Sequence, residues 1–70
     1  MRVGIIGLGL IGGSIALHLK RRGFAKNIVG VEADSVNAAA ALKIGLADEI
    51  LPLHECVREC NLIILSVPVG

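Results

Sequence analysis

Aromatic residues are all but missing from this chain: Phe24 stands alone, with no tryptophan and no tyrosine. One ring cannot build the stacking platforms on which single-stranded nucleic acids are held. An excess of one charge is missing too. Seven basic residues face six acidic ones, a net charge of +1, so no field draws a nucleic acid or an acidic partner. Cysteine is limited to Cys56 and Cys60. Two thiols within one predicted helix do not make a disulfide framework. Their Cα spacing on one helix face disfavours bridging, and as free thiols they fit a reducing cytoplasm. His54 together with this pair crowds three potential ligands onto about two helical turns, without a fourth, which is not the spacing of a zinc site. There is no nucleophile–base pair and there are no paired catalytic carboxylates. No catalytic residue and no metal ligand is therefore expected in the chain. Repeats, linkers and low-complexity segments are also absent.

What the chain has instead is apolar surface and glycine. Hydrophobic residues make up 54% of the sequence, the mean hydropathy is +0.79, and there are nine glycines. That excess suits strands buried on both faces, as in parallel sheets. It also suits a piece whose apolar faces meet the rest of a larger protein.

The glycines are placed with a purpose. Gly7-Leu8-Gly9-Leu10-Ile11-Gly12 is a G-x-G-x-x-G set directly after the apolar run Val3–Ile6, and Glu32 closes a second apolar run twenty residues beyond Gly12. This is the fingerprint of a dinucleotide-binding βαβ unit. Gly7 permits a tight turn out of the first strand. Gly9, without a side chain, lets the backbone approach a pyrophosphate, and Gly12 lets the helix pack closely on the strand. The free amides of the first turn of the following helix then hold the phosphate charge with help from the helix dipole, and Leu10 and Ile11 count with the glycines as cofactor-binding. Gly13 and Ser14 extend the small-residue turn, and Ser14 either donates its hydroxyl to phosphate or caps the helix. Glu32 is expected to accept the adenosine ribose hydroxyls. Its charge repels a 2′-phosphate, and Ala33 and Asp34 offer no arginine to hold one, so NAD is expected over NADP.

A membrane segment is the competing reading of the same stretch. Val3–Leu19 carries no Asp, Glu, Lys or Arg, Lys20-Arg21-Arg22 follows, and Gly9 and Gly13 form a G-x-x-x-G pair. The run is short for a span and its glycines cluster in the first half. The second strand with its terminal acid follows at the spacing a dinucleotide unit needs, so no membrane partner is expected.

Along the chain, strand one is predicted at Arg2–Gly7 and helix one at Gly12–Arg22, where Ile11, Ile15 and Leu19 form a stripe for the sheet. Lys20, Arg21 and Arg22 complement the dipole in its last turn, and Gly23 ends it. His18 lies near this basic turn and is expected in solvent, as is His54. Strand two is Ile28–Glu32. Asp34 or Ser35 caps helix two, which runs to Ile44 before Gly45. A short strand three at Asp48–Leu51, a turn at Pro52, helix three at Leu53–Glu59 and strand four at Leu62–Val67 complete the series, and Pro68 ends it. Alternating strands and helices predict an α/β, Rossmann-type parallel sheet of strand order 3-2-1-4, with right-handed crossovers. Helices one and two would cover one face and helix three the other. Ser66, Val67 and Pro68 leave strand four at the topological switch point, where the backbone either lines the cofactor or merely ends a strand. The full cofactor-binding set is thus Gly7, Gly9, Leu10, Ile11, Gly12, Ser14, Glu32, Ser66, Val67 and Pro68.

The stretch Val3–Ser14, with its doubled glycine and serine, resembles the opening of prephenate dehydrogenases, including their arogenate-using relatives. Ile28–Glu32 is similar to that family's second strand, Gly45-Leu46-Ala47-Asp48-Glu49 to its lead-in to strand three, and Leu62–Val69 to its strand four with a Val-Pro-Val ending. The departures are small: Glu32 replaces a commoner Asp, and Cys60 and Asn61 stand where a small residue and Asp are frequent. The resemblance implies an NAD-dependent oxidative decarboxylation of prephenate to 4-hydroxyphenylpyruvate in tyrosine biosynthesis, in a cytoplasmic homodimer. It implies that residues 1–70 are the first part of the cofactor domain. The substrate-binding histidine and arginine, and a helical dimerisation domain, would lie beyond it. Prephenate and arogenate are not distinguished by these residues. A related hydroxyacid dehydrogenase or reductase, or a module that senses NAD without turnover, would carry the same fingerprint.

Overall fold

The computed structural model describes residues 1–66, and at Leu10 and Ile11 the backbone alone. Seven elements alternate as predicted: β1 (Arg2–Ile6), α1 (Leu10–Arg21), β2 (Asn27–Val31), α2 (Ser35–Lys43), β3 (Glu49–Ile50), α3 (Leu53–Glu59) and β4 (Leu62–Leu65). The strands form one parallel sheet in the order β3-β2-β1-β4. β1 is central, with Val3 opposite Ile28 and Leu62, and Ile5 opposite Gly30 and Ile64.

Successive strand residues point to opposite faces. Val3, Ile5 and Ile28 are fully buried in a cluster with Ala16 of α1 and Ala41 of α2. The other face is thinner. There Gly4 meets Cys56 and Cys60 of α3, and Val29 is buried outside the main cluster. Helices one and two therefore cover one face and helix three the other. β4 is an edge strand among the described residues. Its Leu65 is 70% exposed and its Leu62 38%, although every residue in it is aliphatic.

The helix ends are set by different devices. Asp34, rather than Ser35, caps α2: its Oδ1 accepts from Val36 N (2.8 Å) and Asn37 N (3.2 Å). Gly23 and Gly45 follow α1 and α2 with φ of +70° and +80°, the left-handed backbone expected after a helix. α1 begins at Leu10, two residues before the predicted start at Gly12, because Gly9 is its N-cap and supplies no side-chain bond. Ser14 is the fifth residue of the helix, so it is not the cap. Lys20 does more than complement the dipole. Its Nζ reaches Gly45 O (3.0 Å) and Asp48 Oδ1 (2.9 Å), tying α1 to the loop before β3. Asp48 also accepts from Ile28 N (2.7 Å) through its side chain while its own N–H bonds Ile28 O (2.8 Å), just ahead of the two-residue β3. At the same end, Arg2 is paired with Glu49 and Glu59, and its Nε donates to Asn27 (2.8 Å).

Candidate functional site

The opposite, carboxyl end of the sheet holds the glycine turn. β1 ends at Ile6, and Gly7 turns the chain with φ +91° while its N–H bonds Val31 O at 2.8 Å. That backbone conformation strains any side chain. Gly12, inside the first turn of α1, is required for a different reason. A Cβ there would fall 2.1 Å from the Gly7 carbonyl oxygen, so helix and strand end could not approach. Gly9 meets no such wall: a Cβ on it would find no atom of the described residues within 4 Å. The space over the N-terminus of α1 is thus open where an anion would approach, and the side-chain cap that would compete for the first-turn amides is absent. Gly13 is packed, with a Cβ position 3.1 Å from Leu46.

Glu32, just past β2, is half-buried rather than a solvated loop acid. Its Oε1 accepts from Leu8 N at 2.7 Å and its Oε2 from Asp34 N at 3.1 Å. An ionised carboxylate has about four acceptor positions, so roughly two remain for an incoming donor. Both donors are backbone amides, and among the described residues no cation bonds it.

Ser66 stands across the turn, beside β1. Its N–H continues the sheet to Ile6 O (2.8 Å), and its Oγ lies 3.2 Å from where a Gly12 Cβ would be. That hydroxyl is buried without a hydrogen-bond partner among the described residues. A buried unpaired hydroxyl at a switch point is the kind of group a ligand completes. Val67 and Pro68 lie outside the described residues, as do the side chains of Leu10 and Ile11. The structure therefore brings Gly7, Gly9, Gly12, Glu32 and Ser66 to one end of the sheet.

Ser14 follows on the second turn of α1. It is exposed on α1 and lines a cavity of about 600 Å³ between α1 and α2, together with Leu8, Gly9, Asn37, Ala40 and Ile44. Within the glycine turn, this cavity is lined by Leu8, Gly9 and Gly13.

Two participants had no place in the sequence reading. Leu8 N–H anchors Glu32, and the Leu8 side chain, only 6% exposed, enters the core. It fits there because residue 30 is glycine, whose added Cβ would sit 2.4 Å from Leu8 Cδ1. A glycine inside a strand was the available signal, since it often marks a close approach.

The remaining titratable groups lie apart from the turn. Burial pushes the Asp48 carboxyl up, but the bonds from Ile28 N–H and Lys20, with the Lys20 charge, more than offset this and hold it below 3.8. Burial, and then the bond to Cys60, push the Cys56 thiol up to about 11. His18 and His54 are exposed. Among the described residues no three His, Cys, Asp or Glu side chains gather as a metal site, and no helix is long and apolar enough to cross a membrane. The arrangement can bind a phosphate-bearing, hydroxylated ligand.

Comparison with known proteins agrees with this geometry. The model of a family described as prephenate dehydrogenase, nucleotide-binding domain, matches residues 15–70. The chain is 41% identical over 66 residues to a prephenate dehydrogenase of Bacillus subtilis (strain 168), covering 93% of this chain and 18% of that protein. It is also 41% identical to a prephenate dehydrogenase of Lactococcus lactis subsp. cremoris (strain MG1363), covering 94% of this chain and 18% of the relative. Among solved structures, prephenate dehydrogenase from A. aeolicus in complex with hydroxyphenyl propionate and NAD+ superposes with a TM-score of 0.85. Its sequence identity is 31%, and the match covers 97% of this chain and 24% of that one. Synechocystis arogenate dehydrogenase gives a TM-score of 0.84 and 34% identity over the same shares. The chain thus spans about a fifth of the length of its curated relatives, 18% in each case.

Proposed function

The chain belongs to the prephenate dehydrogenase family, and on that premise we propose that it is the cofactor-binding opening of an NAD-dependent enzyme that converts prephenate to 4-hydroxyphenylpyruvate by oxidative decarboxylation, in tyrosine biosynthesis. The observation that carries the reading is Glu32, pinned by Leu8 N–H beside the Gly7–Gly12 turn with acceptor positions to spare. Bound NAD would supply the hydride acceptor. The chain's own residues bind and orient it. The amides of Leu10, Ile11 and Gly12 hold the pyrophosphate, and the bare Cα of Gly9 lets it approach. Glu32 accepts the adenosine ribose hydroxyls and, uncompensated by a nearby cation, disfavours a 2′-phosphate. Ser66 offers its unpaired hydroxyl from the β4 side, next to Val67 and Pro68. Ser14, exposed on the second turn of α1, offers its hydroxyl to the phosphate.

Residues 1–70 would form the first part of the Rossmann domain. The groups that hold the substrate, and a helical domain joining two subunits, belong to the remainder of the parent protein. The free thiols of α3 fit a cytoplasmic home. The test is NADH formation by the complete parent protein with prephenate and with arogenate, each offered NAD and NADP. Turnover with NAD and prephenate supports the proposal, and turnover with arogenate alone keeps the family reaction but replaces the substrate. Saturable NAD binding without turnover on either would leave the cofactor site and remove the reaction.

A further inference from the structure

A pair of thiols on α3 stands outside the nucleotide site. Cys56 is fully buried, Cys60 is half-buried at the C-cap, and their Sγ atoms lie 3.9 Å apart. Both sulfurs rest on β1 at Gly4. A Cβ on residue 4 would fall 2.4 Å from Cys56 Sγ and 3.1 Å from Cys60 Sγ, so glycine in the middle of this strand is what lets the two converge. Cys60 leaves the helix in an extended conformation, with φ −101° and ψ 145°, while its N–H still bonds Cys56 O at 3.1 Å.

The spacing discriminates between occupants. A disulfide needs its sulfurs about 2.05 Å apart, roughly 2 Å closer than this pair stands. A single soft atom bonded to both sulfurs asks for less movement. Bonds of about 2.3 Å at the ~95–100° angle of a pyramidal trivalent atom place two sulfurs roughly 3.4–3.5 Å apart, so the pair, at 3.9 Å, closes by only about half an ångström. Zinc would need further protein ligands, and among the described residues no third His, Cys, Asp or Glu joins the pair. The occupant is therefore one that needs two protein sulfurs and brings its other substituent with it.

We propose that Cys56 and Cys60, set on Gly4, form a dithiol site for a trivalent organoarsenical. Two As–S bonds form and the As–O bonds of the arsenoxide break. The two thiol protons leave with that oxygen as water, and arsenic stays trivalent, so no oxidant or reductant is consumed. Half-exposed Cys60 bonds first, and buried Cys56 closes the ring, giving up its proton as the second As–S bond forms.

The test treats the purified, reduced protein with phenylarsine oxide and reads intact mass and free thiols. The expected product carries one arsenical per chain, at the mass of the reagent less one water, with both thiols lost. It is released by dimercaptopropanol and resists mercaptoethanol. Cys60→Ser, its fold checked by circular dichroism, retains only a single As–S bond. Its adduct is expected to wash out at a mercaptoethanol concentration lower by on the order of 100-fold, the advantage typical of a second tethered contact. Equal sensitivity of the two proteins to mercaptoethanol overturns the proposal. So does a wild-type protein that keeps both thiols free under the reagent.

Discussion

Replacing Glu32 separates its two jobs. In the structure its carboxylate holds Leu8 N at 2.7 Å and Asp34 N at 3.1 Å, and its remaining acceptor positions are assigned to ribose hydroxyls. Glu32→Gln keeps an oxygen for Leu8 N but removes the charge. A hydrogen bond to a charged acceptor contributes about 1.5–3 kcal/mol, and a neutral one about 0.5–1.5. The loss is thus about 1 kcal/mol per ribose hydroxyl, or about 2 kcal/mol for two. At 1.4 kcal/mol per decade, NAD should bind about 30-fold more weakly. NADP, whose 2′-oxygen carries the phosphate, has only the 3′-hydroxyl bond to lose and is relieved of repulsion at that phosphate, so its affinity should hold or rise. The NAD/NADP preference should therefore fall by about 30-fold or more. Glu32→Ala also releases Leu8 N and Asp34 N, and should cost a further ~1–3 kcal/mol of stability from the freed, partly buried amide. Calorimetric titration of the parent protein with each dinucleotide reads the preference, and urea unfolding reads the stability. An unchanged NAD/NADP ratio in both variants would refute the assignment of Glu32 to the ribose, whatever happens to stability.

Gly12→Ala places a methyl group 2.1 Å from the Gly7 carbonyl. It should destabilise the protein by ~1–3 kcal/mol and weaken NAD binding with it; an unaltered urea midpoint would contradict the packing argument. Asp48 has a folded-state pKa below its unfolded value, so its stabilisation is complete above that ordinary value of 3.8 and is lost as pH falls through the lower, folded one. Asp48→Asn should accordingly flatten the acid limb of stability below pH 3.8, read as the urea midpoint against pH, and leave its shape at neutral pH alone. The β4 edge should drive self-association of the 70-residue chain, with Leu65, 70% exposed, at its centre. Leu65→Lys should shift sedimentation toward monomer, and a stable monomer of the unsubstituted chain at high concentration would count against the edge.

Much of the fold was legible because its punctuation is chemical. Gly7, Gly23 and Gly45 all occupy left-handed backbone, and each marks an element end that the sequence reading also placed there. Helix three matches to the residue, since Pro52 and the extended Cys60 bound it. The strand order followed from the alternation of elements and the apolar centre of β1. What escaped was set by tertiary contact. Gly9 caps α1 without a side chain, so the two residues before Gly12 carried no helix signal. Lys20 read as a dipole partner, yet its ammonium group is taken by Asp48 and Gly45, more than twenty residues along the chain. The Glu32 partners are backbone amides, and an amide has no residue identity to read.

The seat of Leu8 under the glycine turn joins two properties usually studied apart. The residue whose amide steadies Glu32 is the same one whose side chain fills the groove left open at Gly30, against Ile50. The nucleotide loop is in effect upholstered from below by the hydrophobic interior. A survey of variants scored only on dinucleotide affinity should therefore return Gly30→Ala among its hits, at a position no nucleotide touches. Ranking positions by distance from the ligand would overlook it.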